Sequence, residues 1–337
     1  MMLSHILHRA GFFITAVVLC LFASGCGNRT VQIDLVPSNP EIKQQLIEPS
    51  GAWFNTNKIA IVSISGMIAN GYESSLFSSG NNPVNDLRDT LDNISQDSSV
   101  KAVILRMDTP GGTVTASQMM YDDILAFKNK THVPVIASMM DVCASGGFYV
   151  SCAADYQMAY STTITGSIGV IVQLFNVHRL IDRWGIDAPV FVSGPNKDTG
   201  SPFQPMSDSS KALIQHFVDQ FYAQFVAIVK TSHPHVNPAD WPTLTDGRPI
   251  TGADAADYHL INSVGTLDDA IALAKKMAHI QNADIVLYAR DNQNASSIYS
   301  HNQTPAAQSQ SNLFNVDLSD FDVSSLLHPT FLYMWEQ

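Results

Sequence analysis

Cysteine, cationic charge and long apolar runs are all scarce in this chain, and each scarcity excludes something. Four cysteines in 337 residues do not make a disulfide scaffold. No His/Cys spacing reads as a metal site, and His233 and His235 read as a solvated helix end. Lys and Arg total 18 against 30 Asp and Glu, a formal net charge of −12 at pH 7. Such an acidic chain is poorly suited to nucleic acid and offers no polybasic patch to a membrane surface. No internal tandem repeat is visible. A chain of this length has ample material for one large core, in one or two domains.

What is there begins with a processing-type leader. Arg9, with His5 and His8, makes a weakly basic start. Ala10 to Ala23 is an uncharged, mostly apolar run of 14 residues, short for a spanning helix. It ends in Ala23-Ser24-Gly25-Cys26, small residues before a cysteine, as at a bacterial lipoprotein cleavage site. Residues 1–25 then read as a signal peptide, and Cys26 as a lipidated first residue. The other reading is an uncleaved helical anchor. Either one puts the remainder of the chain outside the cytoplasm and on a membrane of a bacterial cell envelope.

Residues 26–56 are polar and proline-bearing and read as a tether. A folded domain follows over 57–288. Lys58–Met67 opens it as an apolar strand, and Val84, Leu87, Leu91 and Ile94 recur at helical spacing. Strand 101–107, a helix from about Val114 to Lys128, and strand 133–139 continue the pattern. Continuous apolar strands alternating with helices read as α/β. The longest helix spans Ser207 to Lys230, with an apolar stripe through Leu213, Ile214, Phe217, Phe221, Phe225 and Ile228 that reads as a core face. Residues 289–337 form a tail: 291–313 are rich in Asn, Gln and Ser and read as disordered, whereas Leu326–Trp335 is apolar again and is expected to dock on the body or on a neighbour.

The chemistry concentrates in four blocks. Asp141-Val142-Cys143-Ala144-Ser145-Gly146-Gly147-Phe148-Tyr149 follows an apolar strand and mounts a serine at a strand-to-helix junction, where amide N–H groups face a reacting carbonyl. Asp108-Thr109-Pro110-Gly111-Gly112-Thr113 ends the preceding strand in a second glycine turn. Thr163-Ile164-Thr165-Gly166-Ser167-Ile168-Gly169-Val170 and Gly194-Pro195-Asn196-Lys197-Asp198-Thr199-Gly200 come later. In this order and spacing the blocks resemble the signal peptide peptidase A (protease IV) family, in its single-domain form. The resemblance covers about Lys58 to Leu287. Within it, His259 stands where the family usually has a small residue, and Asn262 where an aspartate is usual.

The resemblance implies an α/β fold of the ClpP/crotonase type: a spiral of β-β-α units with a long helix and a C-terminal helical extension. It implies a serine endopeptidase with a Ser-Lys dyad, working through an acyl-enzyme on remnant signal peptides or other small extended peptides. Ser145 corresponds to the nucleophile, Lys197 to the general base and Ser167 to the hydroxyl that orients the lysine. Amide N–H groups of Gly146 and of the Gly111-Gly112 turn would form the oxyanion hole. Thr113 and Val114 would pair with substrate as an edge strand, and small or apolar side chains at the scissile position would suit shallow pockets. No metal and no cofactor is implied.

The residues themselves support a lysine over a histidine. Of His132, His178, His216, His233, His235, His259 and His279, none lies in a glycine-rich turn beside a carboxylate, so a Ser-His-Asp triad finds no base. A free lysine has a pKa near ~10.4 and is neutral less than about one time in a thousand at pH 7; burial in an apolar cleft is what would make it a base. Cys143 and Cys152 flank Ser145 and read as buried thiols, a disulfide being the other option. Two other classes remain: a crotonase-like acyl-CoA enzyme, which the export-type leader opposes, and a non-catalytic scaffold, which Ser145 and Lys197 oppose. Because two-domain relatives draw serine and lysine from different repeats, a single-domain chain is expected to form a homo-oligomeric ring with dyads completed between subunits.

Overall fold

The computed structural model describes residues 42–53, 55–71, 82–290, 296–300 and 331–334. The leader, Cys26 and the first part of the tether lie outside them. Among the described residues no helix is long and apolar enough to cross a membrane.

The centre is a mostly parallel sheet. Strands β1 (Ile42–Glu48), β2 (Lys58–Ser65), β3 (Val100–Thr109), β5 (Val135–Ala144), β6 (Tyr156–Ala159), β10 (Ser263–Val264) and β11 (Asp284–Arg290) run in the order β1-β11-β2-β3-β5-β6-β10. Only β1 is antiparallel to its neighbour on this path. Two short strands, β7 (Ile164–Gly166) and β9 (Pro249–Thr251), branch from β5. A separate small sheet joins β4 (Gly111–Thr113), β12 (Phe331–Met334) and β8 (Ile171–Val172), with β12 in the middle.

The unbroken apolar runs reflect burial on both faces of the sheet. Ala60, Val62 and Ile64 of β2 and Val103, Leu105 and Met107 of β3 face one core. Helices α1 (Pro83–Gln96), α2 (Val114–Thr131) and α3 (Gly146–Ser151) contribute to that core. Ile59, Ile61, Ala102, Ile104 and Ile136 face the other, under helix α8 (Leu267–Met277). Each of the Val, Leu, Ile and Met side chains among these contributes roughly 1.5–3 kcal/mol of burial free energy. The short helices α4 (His178–Arg183), α6 (Trp241–Leu244) and α7 (Gly252–Asp257) and the long α5 (Asp208–Ser232) complete the body. Of the stripe on α5, Ile214 and Phe225 are buried as a core face.

Strand β5 decides where the site lies. Its first half, Ile136–Met139, pairs with β6; its last residues, Val142–Ala144, pair with β7. The strand thus leaves one neighbour for another just before Ser145. A register shift between Met107 and Thr109 in the β3–β5 pairing marks the same bend.

Three segments differ from the sequence reading. The tether ends earlier than residue 56, because Ile42–Glu48 is the edge strand of the sheet, paired with β11. Its alternation of half-buried and exposed residues belongs to a strand with one covered face. Within the stretch expected to be disordered, residues 296–300 are held on the body: Ile298 is buried, and Arg106 donates to the carbonyls of Ile298 and Ser300 and to Ser63 Oγ. The C-terminal extension, expected helical, is a strand in its described part, Phe331–Met334.

Cys143 and Cys152 are free and buried. Burial pushes both thiols up, that of Cys152 to about 12. They should therefore resist maleimide in the native protein at pH 8, and react once it is unfolded in guanidinium; fast native labelling, read by intact mass, would contradict this placement.

Candidate active site

Ser145 sits at the N-cap of α3, directly after β5, with φ 52° and ψ −113°. A positive φ is uncommon for serine, and here the surroundings impose it. The Ser145 amide donates to the Gly166 carbonyl at 2.8 Å and the Tyr149 amide to the Ser145 carbonyl at 2.9 Å. The hydroxyl makes no capping bond to the helix, although Ser145 is only 1% exposed. A buried serine on a strained turn whose hydroxyl is not consumed by capping has the geometry of a presented nucleophile.

Glycines allow the backbone to close around it. A Cβ on Gly146 would lie 2.5 Å from Ser117 Oγ and 3.1 Å from the Gly112 amide nitrogen. A Cβ on Gly111, whose φ is +105°, would lie 2.7 Å from the Gly146 nitrogen. The Gly111-Gly112 turn and the start of α3 are thus in backbone-to-backbone contact. On the far side, Ile68 accepts from the Thr113 amide and donates to the Gly111 carbonyl, both at 2.8 Å. Alternation along the strand then turns the N–H and C=O of Gly112 the opposite way, toward β12. The three glycines expected to form the oxyanion hole therefore stand together, next to Ser145.

Ser167 joins the same cluster. The register Ala144↔Gly166 between β5 and β7 puts Ser167 beside Ser145 at the ends of neighbouring parallel strands. It is 6% exposed, has φ 49°, and its amide donates to the Arg248 carbonyl at 2.9 Å.

Lys197 makes no hydrogen bond to this cluster. It is exposed, in the turn Gly194–Gly200, with its amide bonded to the Gly194 carbonyl at 3.1 Å. Its ammonium makes no hydrogen bond or ion pair to any described residue. Its segment, residues 173–206, carries Phe175, Leu180, Trp184, Ile186, Val190 and Phe191, all largely exposed.

Thr113 and Val114, expected to pair with substrate as an edge strand, fall in different elements. Thr113 ends β4, but it is also the N-cap of α2, its side chain accepting from the Ala116 amide at 3.4 Å. Val114 is the buried first residue of that helix and cannot extend the strand. The pairing edge is Gly111–Thr113, and the chain itself occupies it: Leu332, Tyr333 and Met334 of β12 lie opposite Thr113, Gly112 and Gly111, antiparallel.

The residues that sequence reasoning missed surround this strand. Tyr333 is fully buried. Its ring lies 5.3 Å from that of Tyr149 and 4.7 Å from that of Phe225, and its hydroxyl donates to the Phe221 carbonyl at 2.8 Å. Phe331, on the same face of β12, packs on Phe217 and Phe221 at 5.8 and 5.3 Å. The spacing of Phe217, Phe221 and Phe225 at i, i+4 and i+8 was the available signal, and it read as core.

Ser145, Ser167 and the two glycine turns thus meet at one point of the fold. Residues 127–281 match the model of Peptidase family S49. The chain is 31% identical over 251 residues to a protein of Enterococcus faecium named as a signal peptide peptidase SppA, covering 74% of this chain and 72% of that one. It is 35% identical over 198 residues to a protease-named protein of Methanocaldococcus jannaschii, MJ0651, covering 59% of this chain and 63% of that one. It is 32% identical to Protease 4 of Haemophilus influenzae, over 66% of this chain and 35% of that one. The chain belongs to the S49 peptidase family, the SppA kind of serine protease. Sheet order and family membership agree on an α/β fold of the ClpP/crotonase type.

Proposed function

We propose that the protein is a membrane-associated serine endopeptidase that uses a Ser145–Lys197 dyad on small extended peptides, remnant signal peptides among them. The carrying observation is the buried, uncapped Ser145 hydroxyl beside the amides of Gly112 and Gly146. Ser145 Oγ attacks the scissile carbonyl, and its proton passes to the neutral amine of Lys197 and then to the leaving amine. The acyl-enzyme is hydrolysed by water activated in the same way. The amides receive the oxyanion, each worth about 3 kcal/mol of barrier. Ser167 orients the lysine amine.

An exposed lysine is a poor base, because water holds its proton. The exposed apolar face around Lys197 supports a second copy of this chain as its cover, burying the lysine against the neighbour's Ser145. Repetition of such a head-to-tail contact closes a ring, which would admit only small or unfolded peptides. Cys26 would carry the lipid that holds the exported catalytic domain on the envelope membrane.

A fluorophosphonate probe should label the wild-type chain and not Ser145→Ala. Labelling of both, or of neither, would overturn the nucleophile assignment. Metabolic labelling with a palmitate analogue should mark wild type and not Cys26→Ser; equal labelling would favour the uncleaved helical anchor.

A further inference from the structure

His233 is the C-cap of α5, but it is not the solvated helix end that its sequence suggests: it is 6% exposed. Its ring is stacked on that of Phe148 in α3, with centroids 5.6 Å apart. Both ring nitrogens are engaged. Nδ1 meets the Val229 carbonyl at 2.8 Å, and Nε2 meets Gln157 Oε1 at 2.5 Å. The other end of the Gln157 amide donates to Ser151 Oγ at 2.8 Å, and that hydroxyl donates to the Phe148 carbonyl at 2.7 Å. Asn262 fixes the backbone of Gln157, accepting from its amide at 2.7 Å and donating to its carbonyl at 3.0 Å. A chain of buried polar groups thus runs from the end of α5 through β6 to α3, the helix whose N-cap is Ser145.

Donor and acceptor counts give this chain two states. A carbonyl only accepts, so Nδ1 carries a proton in both. With Gln157 Oε1 facing it, Nε2 carries one too, and the ring is an imidazolium. A neutral ring has a bare Nε2 and needs a donor there. Turning the Gln157 amide over supplies one and brings Oε1 to Ser151, whose hydroxyl must then leave the Phe148 carbonyl and donate to Oε1. The two ends of an amide are alike in size, so both arrangements fit the same space. Burial favours the neutral ring and pushes its pKa down, against the Val229 carbonyl, which pulls it up. Among the described residues no carboxylate bonds to the ring. The titratable groups around it are otherwise engaged or neutral. On α3, burial pushes the Cys152 thiol up to about 12. Lys128 of α2 and Asp155, beside the end of α3, pair with each other at 2.8 Å. Lys230 of α5 lies over the Trp241 ring, and His235 is exposed.

We propose that His233 is a proton sensor and a positioning residue for Ser145: neutral, it is bonded by Gln157 and backs α3, whereas protonated, it turns the Gln157 amide over, sets an unpaired cation behind α3 and lowers turnover in acid. The catalytic half of this inference rests on the peptidase reading; the proton switch does not. A buried cation without a counter-charge is costly, and here the cost falls on the helix that holds the nucleophile. The sign follows from the lowered pKa. The unfolded chain takes up the proton first, so stability that His233 contributes above about pH 6.5 is lost as pH falls below that value toward the folded pKa.

The full chain, with its histidines labelled with nitrogen-15, reads the switch directly by NMR; the resonance absent from His233→Gln assigns the residue. At pH 8 the ring should carry its proton on Nδ1 and leave Nε2 bare. It should gain the second proton with a midpoint below that of an exposed histidine. An Nε2–H tautomer or an imidazolium at pH 8, or no proton uptake before the chain unfolds, overturns the proposal. Gln157→Glu offers Nε2 a carboxylate and should raise the midpoint by about one pH unit or more; an unchanged midpoint overturns the coupling to Gln157. Turnover gives the second readout. Between pH 8 and pH 5.5 the wild type should lose more kcat than His233→Gln, by about threefold or more, over the loss that the lysine base imposes on both. Equal losses in a folded variant overturn the positioning role. A titrating His233 in a chain without Ser145-dependent turnover would sink the peptidase reading and leave the sensor standing.

Discussion

Lys197→Ala is expected to lose on the order of a thousandfold or more of peptide turnover, with no change in melting temperature. The two halves of that expectation come from different observations. Ser145 has no other base at hand in the sequence, so removal of the lysine removes proton transfer. Lys197 is exposed and its ammonium makes no hydrogen bond or ion pair to any described residue, so the fold is not expected to register its loss. Mixing inactive Lys197→Ala with inactive Ser145→Ala protein, under conditions of subunit exchange, should restore part of the activity. Each mixed interface can pair an intact Ser145 with an intact Lys197. Exchange without recovery would sink the shared dyad. The pH profile has a definite sign: only the neutral amine accepts a proton, so turnover rises from mildly acidic toward alkaline pH. A profile falling over that range would contradict a lysine base.

Gly112→Ala is expected to damage stability and catalysis together. A Cβ at this position would lie 2.5 Å from the carbonyl carbon and 2.6 Å from the nitrogen of Ile68. The obstacle is backbone on both counts, so it cannot rotate away as a side-chain end would. Overpacking of this kind costs about 1–3 kcal/mol, and the melting temperature should fall by several degrees, about 2–4 °C per kcal/mol for a chain of this size. Movement of the turn also shifts the Gly112 amide off the reacting carbonyl, at a cost of about a hundredfold in turnover. Thermal denaturation followed by circular dichroism, with turnover measured on the same preparation, checks both parts. A variant with wild-type melting and turnover would show that the close contact with Ile68 is not required.

Much of the site was legible because its parts are local. A serine followed by two glycines after an apolar strand, and a glycine pair ending the strand before, each describe a turn that a few neighbouring residues dictate. Two-sided burial of β2 and β3 was legible for the same reason, since an unbroken apolar run has nowhere to point but into two cores. Thr113 carried a local signal that was underused: a threonine just ahead of a helical pattern caps it, which makes Val114 a helix residue and shortens the pairing edge.

The sequence by itself determined the α/β class and the glycine turns around Ser145, the proposed nucleophile, because backbone freedom and hydrophobic periodicity are properties of short stretches. The tertiary structure decided what stands against them. Pairing of Ile42–Glu48 with β11 turned a polar tether into an edge strand, since half-exposed alternation looks like a loop until a partner covers one face. The α5 stripe turned from core filler into the wall of a pocket only when Tyr333 arrived from more than two hundred positions after Gly112. Strand registers between such distant segments depend on which edges remain unpaired once the rest of the chain has packed, and no local pattern carries that information.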